Sequence, residues 1–174
     1  MNRYYVVGTT CAGKDYLMDY LEAKYPDVGS VRVGKIMRDR YPPGYFQGSG
    51  APKHTEVEAL QIFEEELAKN TNKRNVFISG QPRRIDQIEH TVEKYPGHII
   101  WLWASDDVIL ERIDKRFAND LASKELALQR IKNDKLQMYD VMFKLMASNC
   151  TPISAYDTGL WSVDEVVEDL ESVF

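Results

Sequence analysis

Short apolar runs alternate with helix-length amphipathic stretches along the chain, and no internal repeat or low-complexity tract interrupts them. That alternation is the signature of a parallel α/β sheet, because each parallel strand must return through a crossover helix. Residues 4–7 read as a first buried strand, followed by a loop over 8–13 and a helix over 14–25 that Pro26 ends. A strand over 31–33 precedes a small helix reaching about Tyr41, and the Pro- and Gly-rich stretch 41–52 reads as an exposed loop. The pattern then predicts a helix over 56–70, a strand over 75–79, a helix over 85–95, and a strand over 98–104 whose Trp101 and Trp103 share a face. Ser105 caps a helix running to about Phe117, a polar break covers 118–123, and a long helix spans 124–148. A last strand over 151–156 leads to a final helix that opens at Ser162, with Glu165 at the capping-box spacing. Five strands and their helices make the expected architecture α/β.

Length and charge narrow the picture. The 174 residues, 44% of them hydrophobic, suit one domain with a sizeable core. A formal net charge of -5 leaves no overall positive field for holding a polyanion, so an anionic substrate would need a local basic pocket. The apolar runs fall far short of the ~20 residues that span a bilayer, no signal-peptide pattern opens the chain, and Cys11 and Cys150 make no disulfide framework. The expectation is a cytoplasmic protein without membrane contact. Monomer and homodimer are both left open.

The chemistry begins at Gly8, Thr9, Thr10, Cys11, Ala12, Gly13 and Lys14, which match GxxxxGK between a strand and a helix, the context that motif requires. Glycines let the backbone turn its N–H groups toward phosphate oxygens. The helix N-terminus adds its positive dipole, and Lys14 sets an ammonium against the β/γ oxygens of a nucleotide. Asp15 and Tyr16 complete the expected cofactor-binding set, and they stand where a Ser/Thr hydroxyl normally meets Mg²⁺. The Asp15 carboxylate either complements the helix dipole, worth about 0.3–1 kcal/mol, or binds Mg²⁺ directly or through water. ATP and Mg²⁺ are the expected cofactors. Cys11 sits at a helix N-terminus, where a thiol pKa can fall; loop filler is the plainer reading.

Further along, Ser79, Gly80, Gln81, Pro82, Arg83 and Gln87 follow a strand in a pattern that resembles the DGFPR…Q segment of the adenylate kinase and nucleoside monophosphate kinase family. Val33, Gly34, Lys35, Ile36, Met37 and Arg38 resemble its TGDxLR segment, and Arg112 and Arg116 in ERIDKR resemble its ERxxGR segment. Arg130 sits on the long helix where the family carries another arginine, and Asp157, Thr158 and Gly159 are similar to its DGT turn. The resemblance covers most of the chain. It implies a three-layer P-loop NTPase-type fold with a five-stranded parallel sheet, an acceptor-binding insertion about 34–72 and a short lid about 117–124. By the same resemblance, Arg38 and Arg83 clamp an acceptor phosphate beside Lys35, Gln87 reads the acceptor base, and Arg112 lies against the ATP base. Arg116 and Arg130 close on the transferring phosphoryl group, making Lys14, Asp15, Arg83, Arg116 and Arg130 the expected catalytic set. Phosphoryl transfer needs positioning and charge neutralisation more than covalent chemistry, and arginines supply both.

The chain also departs from that pattern. Ser79 replaces the aspartate of DGFPR, Val33 and Lys35 replace Thr and Asp of TGD, and Asn119 and Asp120 do not complete the lid's RxDD signature. The absence of cysteine between Arg116 and Arg130 excludes a zinc-binding lid. Three functional readings follow. The first is an ATP-dependent (deoxy)nucleoside monophosphate kinase acting on a small nucleotide acceptor. The second is a related kinase for a hydroxyl group such as a hydroxymethyl pyrimidine, free or within DNA, where Lys35, Arg38, Arg40, Lys53 and His54 offer a basic stripe. The third is a nucleotide-binding module without catalysis.

Overall fold

The computed structural model describes residues 1–41, 53–148 and 151–172; the side chains of residues 53 and 54 also lie outside the described part. The chain runs β1 (Asn2–Val7), α1 (Lys14–Lys24), β2 (Gly29–Arg32), α2 (Val33–Arg40), α3 (Lys53–Lys69) and β3 (Asn75–Ser79). It continues through β4 (His98–Trp103), α4 (Asp106–Arg116), α5 (Leu121–Ser148), β5 (Ile153–Asp157) and α6 (Val163–Glu171). The five strands form one sheet in the order β2-β3-β1-β4-β5, and every pair is parallel. This is the α/β architecture expected from the alternating pattern. From residue 42 on, the loop expected over 41–52 lies outside the described residues, as does Cys150.

Strand alternation sorts the core into two layers. Tyr5, Val7, Val76, Ile78 and Ile99 face α3, α5 and the segment after β3, where Phe63, Ile88, Val92, Val141 and Met142 meet them. Tyr4, Val6, Phe77, Ile100 and Leu102 face the opposite way, onto Leu17, Met18 and Leu21 of α1 and Val166, Val167 and Leu170 of α6. Burial on both faces is why β1 and β3 read as unbroken apolar runs rather than as alternating ones. Trp101 packs on the α5 side with its ring edge-on to Tyr139, centroids 6.4 Å apart, while Trp103 at the strand end is largely exposed.

The helix boundaries follow local chemistry. Tyr25 N–H closes the last turn of α1 on the Leu21 carbonyl, and Pro26 prevents another. The Ser105 hydroxyl accepts from Val108 N at 3.5 Å to open α4, and Ser162 with Glu165 forms the full capping box that starts α6. One expectation is corrected. Residues 85–95 form a 3₁₀ turn (Ile85–Gln87) and a π turn (Glu89–Glu93) in place of a regular α-helix. A hydrogen bond from β1 and two within the segment itself accompany this register. Tyr5 Oη donates to the Tyr95 carbonyl at 2.7 Å, Thr91 Oγ1 donates to the Gln87 carbonyl at 2.7 Å, and Glu93 N reaches back five residues to Ile88 O.

Topology then places a crevice. After β1 the chain leaves toward β2 through α1 on one face, and after β3 it leaves toward β4 along the other face. Adjacent strands whose connections part in this way open a gap beyond their carboxyl ends, where open α/β sheets receive ligands. Among the described residues no helix is long and apolar enough to cross a membrane.

Candidate functional site

The loop between β1 and α1 curls around an ammonium group. Lys14 Nζ donates to the carbonyls of Gly8 at 2.7 Å and Thr9 at 2.6 Å. Gly8 takes φ +154°, and a Cβ there would lie 2.2 Å from the Leu102 carbonyl oxygen, so only glycine lets the loop press against β4. Cys11 takes φ 62° and Gly13 φ 92°, which turns the loop before the helix begins. The turn after β5 braces it from outside. Arg112 Nη1 donates to the Cys11 carbonyl at 3.1 Å and to Thr158 Oγ1 at 2.8 Å, and its Nη2 donates to the Thr158 carbonyl at 2.5 Å. Thr158 Oγ1 in turn lies 3.2 Å from the Ala12 carbonyl.

Beside this loop lies a cleft of about 480 Å³ at the β1/β3 crevice. Eight cationic side chains line it, namely Lys14, Arg32, Lys35, Arg38, Arg83, Arg112, Arg116 and Arg130, against the two carboxylates Asp15 and Asp134. An acidic chain thus carries a strongly basic cavity, of the kind an anionic substrate would need. Two of the eight are neutralised or braced elsewhere: Arg32 pairs with Asp19 and Glu22 at 2.7 and 2.9 Å, and Arg112 holds the loop. Arg83 and Arg38 meet the cleft's own carboxylates, at 3.1 Å from Asp134 and 3.9 Å from Asp15. Burial first, and the Arg83 guanidinium second, push the Lys14 ammonium down to a pKa of about 8, with Asp134, Asp15 and Cys11 opposing. Burial also lowers the Arg130 pKa, with Arg83 adding to the effect and Asp134 opposing it. With eight cationic side chains against two carboxylates, the lining of the cleft carries an excess of positive charge.

The structure brings most of the expected residues to this one cleft. Gly8, Thr10, Cys11, Gly13, Lys14, Asp15 and Tyr16 line it from the loop and the first turn of α1, Lys35 and Arg38 from α2, and Arg83 from beyond β3. Arg112 and Arg116 reach it from α4 and Arg130 from α5, with Arg116 stacked over the Phe117 ring at 5.4 Å. Thr9 contributes its carbonyl to Lys14, and Ala12 is buried beneath the loop. Gln87 stands apart. It is 7% exposed, and its side-chain carbonyl accepts from Arg83 N at 2.8 Å, so it shapes the backbone that carries Arg83. Of the short lid expected over about 117–124, residues 117–120 turn from α4 into α5, which begins at Leu121, ahead of the expected 124, and there the Asp120 carboxylate accepts from Ser123 N at 3.0 Å. Of the basic stripe, Arg40 is ion-paired with Glu58 at 3.1 Å.

Asp134 belongs to the site without any motif having marked it. Its Oδ2 accepts from Thr10 Oγ1 at 2.5 Å and its Oδ1 pairs with Arg83 Nη2 at 3.1 Å, so one carboxylate joins the loop to the arginine beyond β3. The sequence does carry a signal for it. Asp134 interrupts the apolar stripe of Ala127, Met138, Val141 and Leu145 on the buried side of α5, one turn after Arg130.

Asp15 is 54% exposed at the cleft and lies 3.9 Å from Arg38 Nη2. Among the described residues no group of three or more His, Cys, Asp or Glu is arranged to hold a metal ion. A single carboxylate is nonetheless compatible with Mg²⁺, which is commonly held by one or two carboxylates together with substrate phosphates. On the outer side of the loop a second cavity of about 490 Å³ is lined by Gly13, Tyr16, Leu17, Arg112, Thr158 and Trp161 among others. Gly13, Tyr16 and Arg112 line both cavities, so the two adjoin. Scans against protein-family models and against curated proteins found no match to this chain.

Proposed function

We propose that the chain is an ATP-dependent phosphotransferase that passes the γ-phosphate to a nucleoside monophosphate. The observation that carries this reading is the convergence of Lys14, Arg38, Arg83, Arg116 and Arg130, from separate segments, on a cleft beside a GxxxxGK loop. The residues behind the resemblance to adenylate and nucleoside monophosphate kinases largely share that cleft, which supports a P-loop kinase fold and an ATP ligand. On this reading the triphosphate lies along the loop amides, with Lys14 shifting from the Gly8 and Thr9 carbonyls to the β/γ oxygens. The purine occupies the second cavity against Arg112, Tyr16 and Trp161. Arg38 and Arg83 hold the acceptor phosphate with Lys35, and Arg116 and Arg130 neutralise the group in flight. Bound Mg²⁺, met by Asp15, would neutralise charge on the β- and γ-phosphate oxygens.

The transfer itself asks little covalent work of the protein. An acceptor phosphate oxygen forms a bond to the γ-phosphorus as the bond from that phosphorus to the β–γ bridging oxygen breaks, and ADP carries the electron pair away. The acceptor is already anionic, so no general base is needed. A second reading, a hydroxyl acceptor, is favoured by one observation: Asp15 is an exposed carboxylate facing the cleft and only loosely paired. On this second reading Asp15 would take the proton that such an acceptor loses. Labelled ATP tested against ribo- and deoxynucleoside monophosphates, hydroxymethyl nucleotides and hydroxymethylated DNA separates the readings. Label on a monophosphate supports the first, and label appearing only on a hydroxyl replaces it. No transfer to any acceptor, with ATP still bound, would reduce the chain to a binding module.

A further inference from the structure

Gln81 carries a buried amide oxygen at the cleft for which the described residues offer no hydrogen-bond partner. It is 2% exposed, its Oε1 is buried without a hydrogen-bond partner, and it lines the cavity between Gly80 and Arg83. Its backbone position is tightly imposed, because Gly80 takes φ +93° and a Cβ there would lie 2.9 Å from Gly34 N at the start of α2. Burying an amide oxygen without a partner is unfavourable, and an apolar side chain of similar shape would avoid that cost. The neighbouring Gln87 shows the contrast, since its amide oxygen is occupied by Arg83 N.

A dianionic phosphate has only acceptor oxygens, so an amide oxygen is unsuited to it, and the adjacent arginines already serve that purpose. Gln81 also lies away from the second cavity, on the side of the cleft formed by α2 and the segment after β3. We propose that Gln81 is a specificity-determining residue for the acceptor, its amide hydrogen-bonding the neutral, proton-donating part of a nucleotide, a ring N–H or a sugar O–H. This rests on the reading of the cleft as a nucleotide acceptor site. A site built to hydrogen-bond such a group discriminates against a ligand lacking it, because the buried amide is then left unpaired.

The test is calorimetric titration of the full chain and of Gln81→Leu and Gln81→Met, the second being an unbranched replacement should the first fail to fold. The probes are inorganic phosphate, ribose 5-phosphate, abasic deoxyribose 5-phosphate, and the ribo- and deoxynucleoside monophosphates. The expected result is a roughly three- to tenfold loss of affinity for the preferred nucleotide with unchanged affinity for inorganic phosphate. A loss that persists with ribose 5-phosphate assigns the contact to the sugar, and one confined to base-bearing ligands assigns it to the ring. Equal losses for nucleotide and inorganic phosphate, or no loss for either, would overturn the role of Gln81 while leaving the acceptor site standing. A parent chain that binds no nucleoside monophosphate more tightly than inorganic phosphate would remove the acceptor reading itself, and Gln81 with it.

Discussion

Lys14 is the side chain whose state is most sensitive to what fills the loop. In the unliganded protein burial and the nearby Arg83 bring its pKa to about 8, and a bound phosphate tail would raise it again. The sign follows from linkage. Below pH 8 the ammonium is already present and anion affinity depends little on pH, while above pH 8 binding must take up a proton and affinity falls, by at most about tenfold per pH unit. ATP titration from pH 7 to 9.5 in buffers of different ionisation enthalpy should show both the fall and the proton uptake. Lys14→Arg, charged throughout, should flatten the profile. Asp134 makes a complementary case, because Asp134→Asn removes a negative charge from the cavity and loosens Arg83. ATP should bind that variant several times more tightly while kcat falls, a split that steady-state kinetics and direct titration read separately. Loop lysine and cleft arginines were legible in the sequence because each lies in a local pattern. Asp134 left only a break in the apolar stripe of α5 and no motif, since its partners Thr10 and Arg83 are 124 and 51 residues away along the chain.

At the scale of elements, backbone constraints hold the site as firmly as side-chain contacts do. Gly8→Ala would drive a methyl into the Leu102 carbonyl, so the loop or β4 must shift, and nucleotide affinity should be lost together with stability, by about 1–3 kcal/mol. Ser105→Ala removes the hydroxyl that caps α4, a residue lining neither cavity, and should cost about 1 kcal/mol, lowering the melting temperature by roughly 2–4 °C, with ATP affinity unchanged. Paired thermal denaturation and ATP titration distinguish the two. Strands and capped helices were legible from periodicity and caps because their determinants lie within a few residues. The segment 85–95 misled, since its 3₁₀ and π turns come with a hydrogen bond from Tyr5 Oη of β1 and with the Gln87 amide turned back onto Arg83. An apolar spacing suited to a helix cannot report hydrogen bonds from a strand 80 or more residues earlier.

For the molecule as a whole, the parallel sheet turns a one-dimensional pattern into a cavity. The order β2-β3-β1-β4-β5 sets the ends of β1 and β3 side by side, so the Gly8 loop and the Gly80–Arg83 segment share one crevice. Its excess of cations sits within a chain of net charge -5, which favours small anions over a polyanion. The most direct measurement is ATP affinity of the full chain at pH 7 with and without Mg²⁺, set against Lys14→Ala. Binding in the micromolar range that weakens at least tenfold in the variant is the expected result. Equal affinity in both proteins, or no binding by either, would contradict the claim that this loop grips a triphosphate.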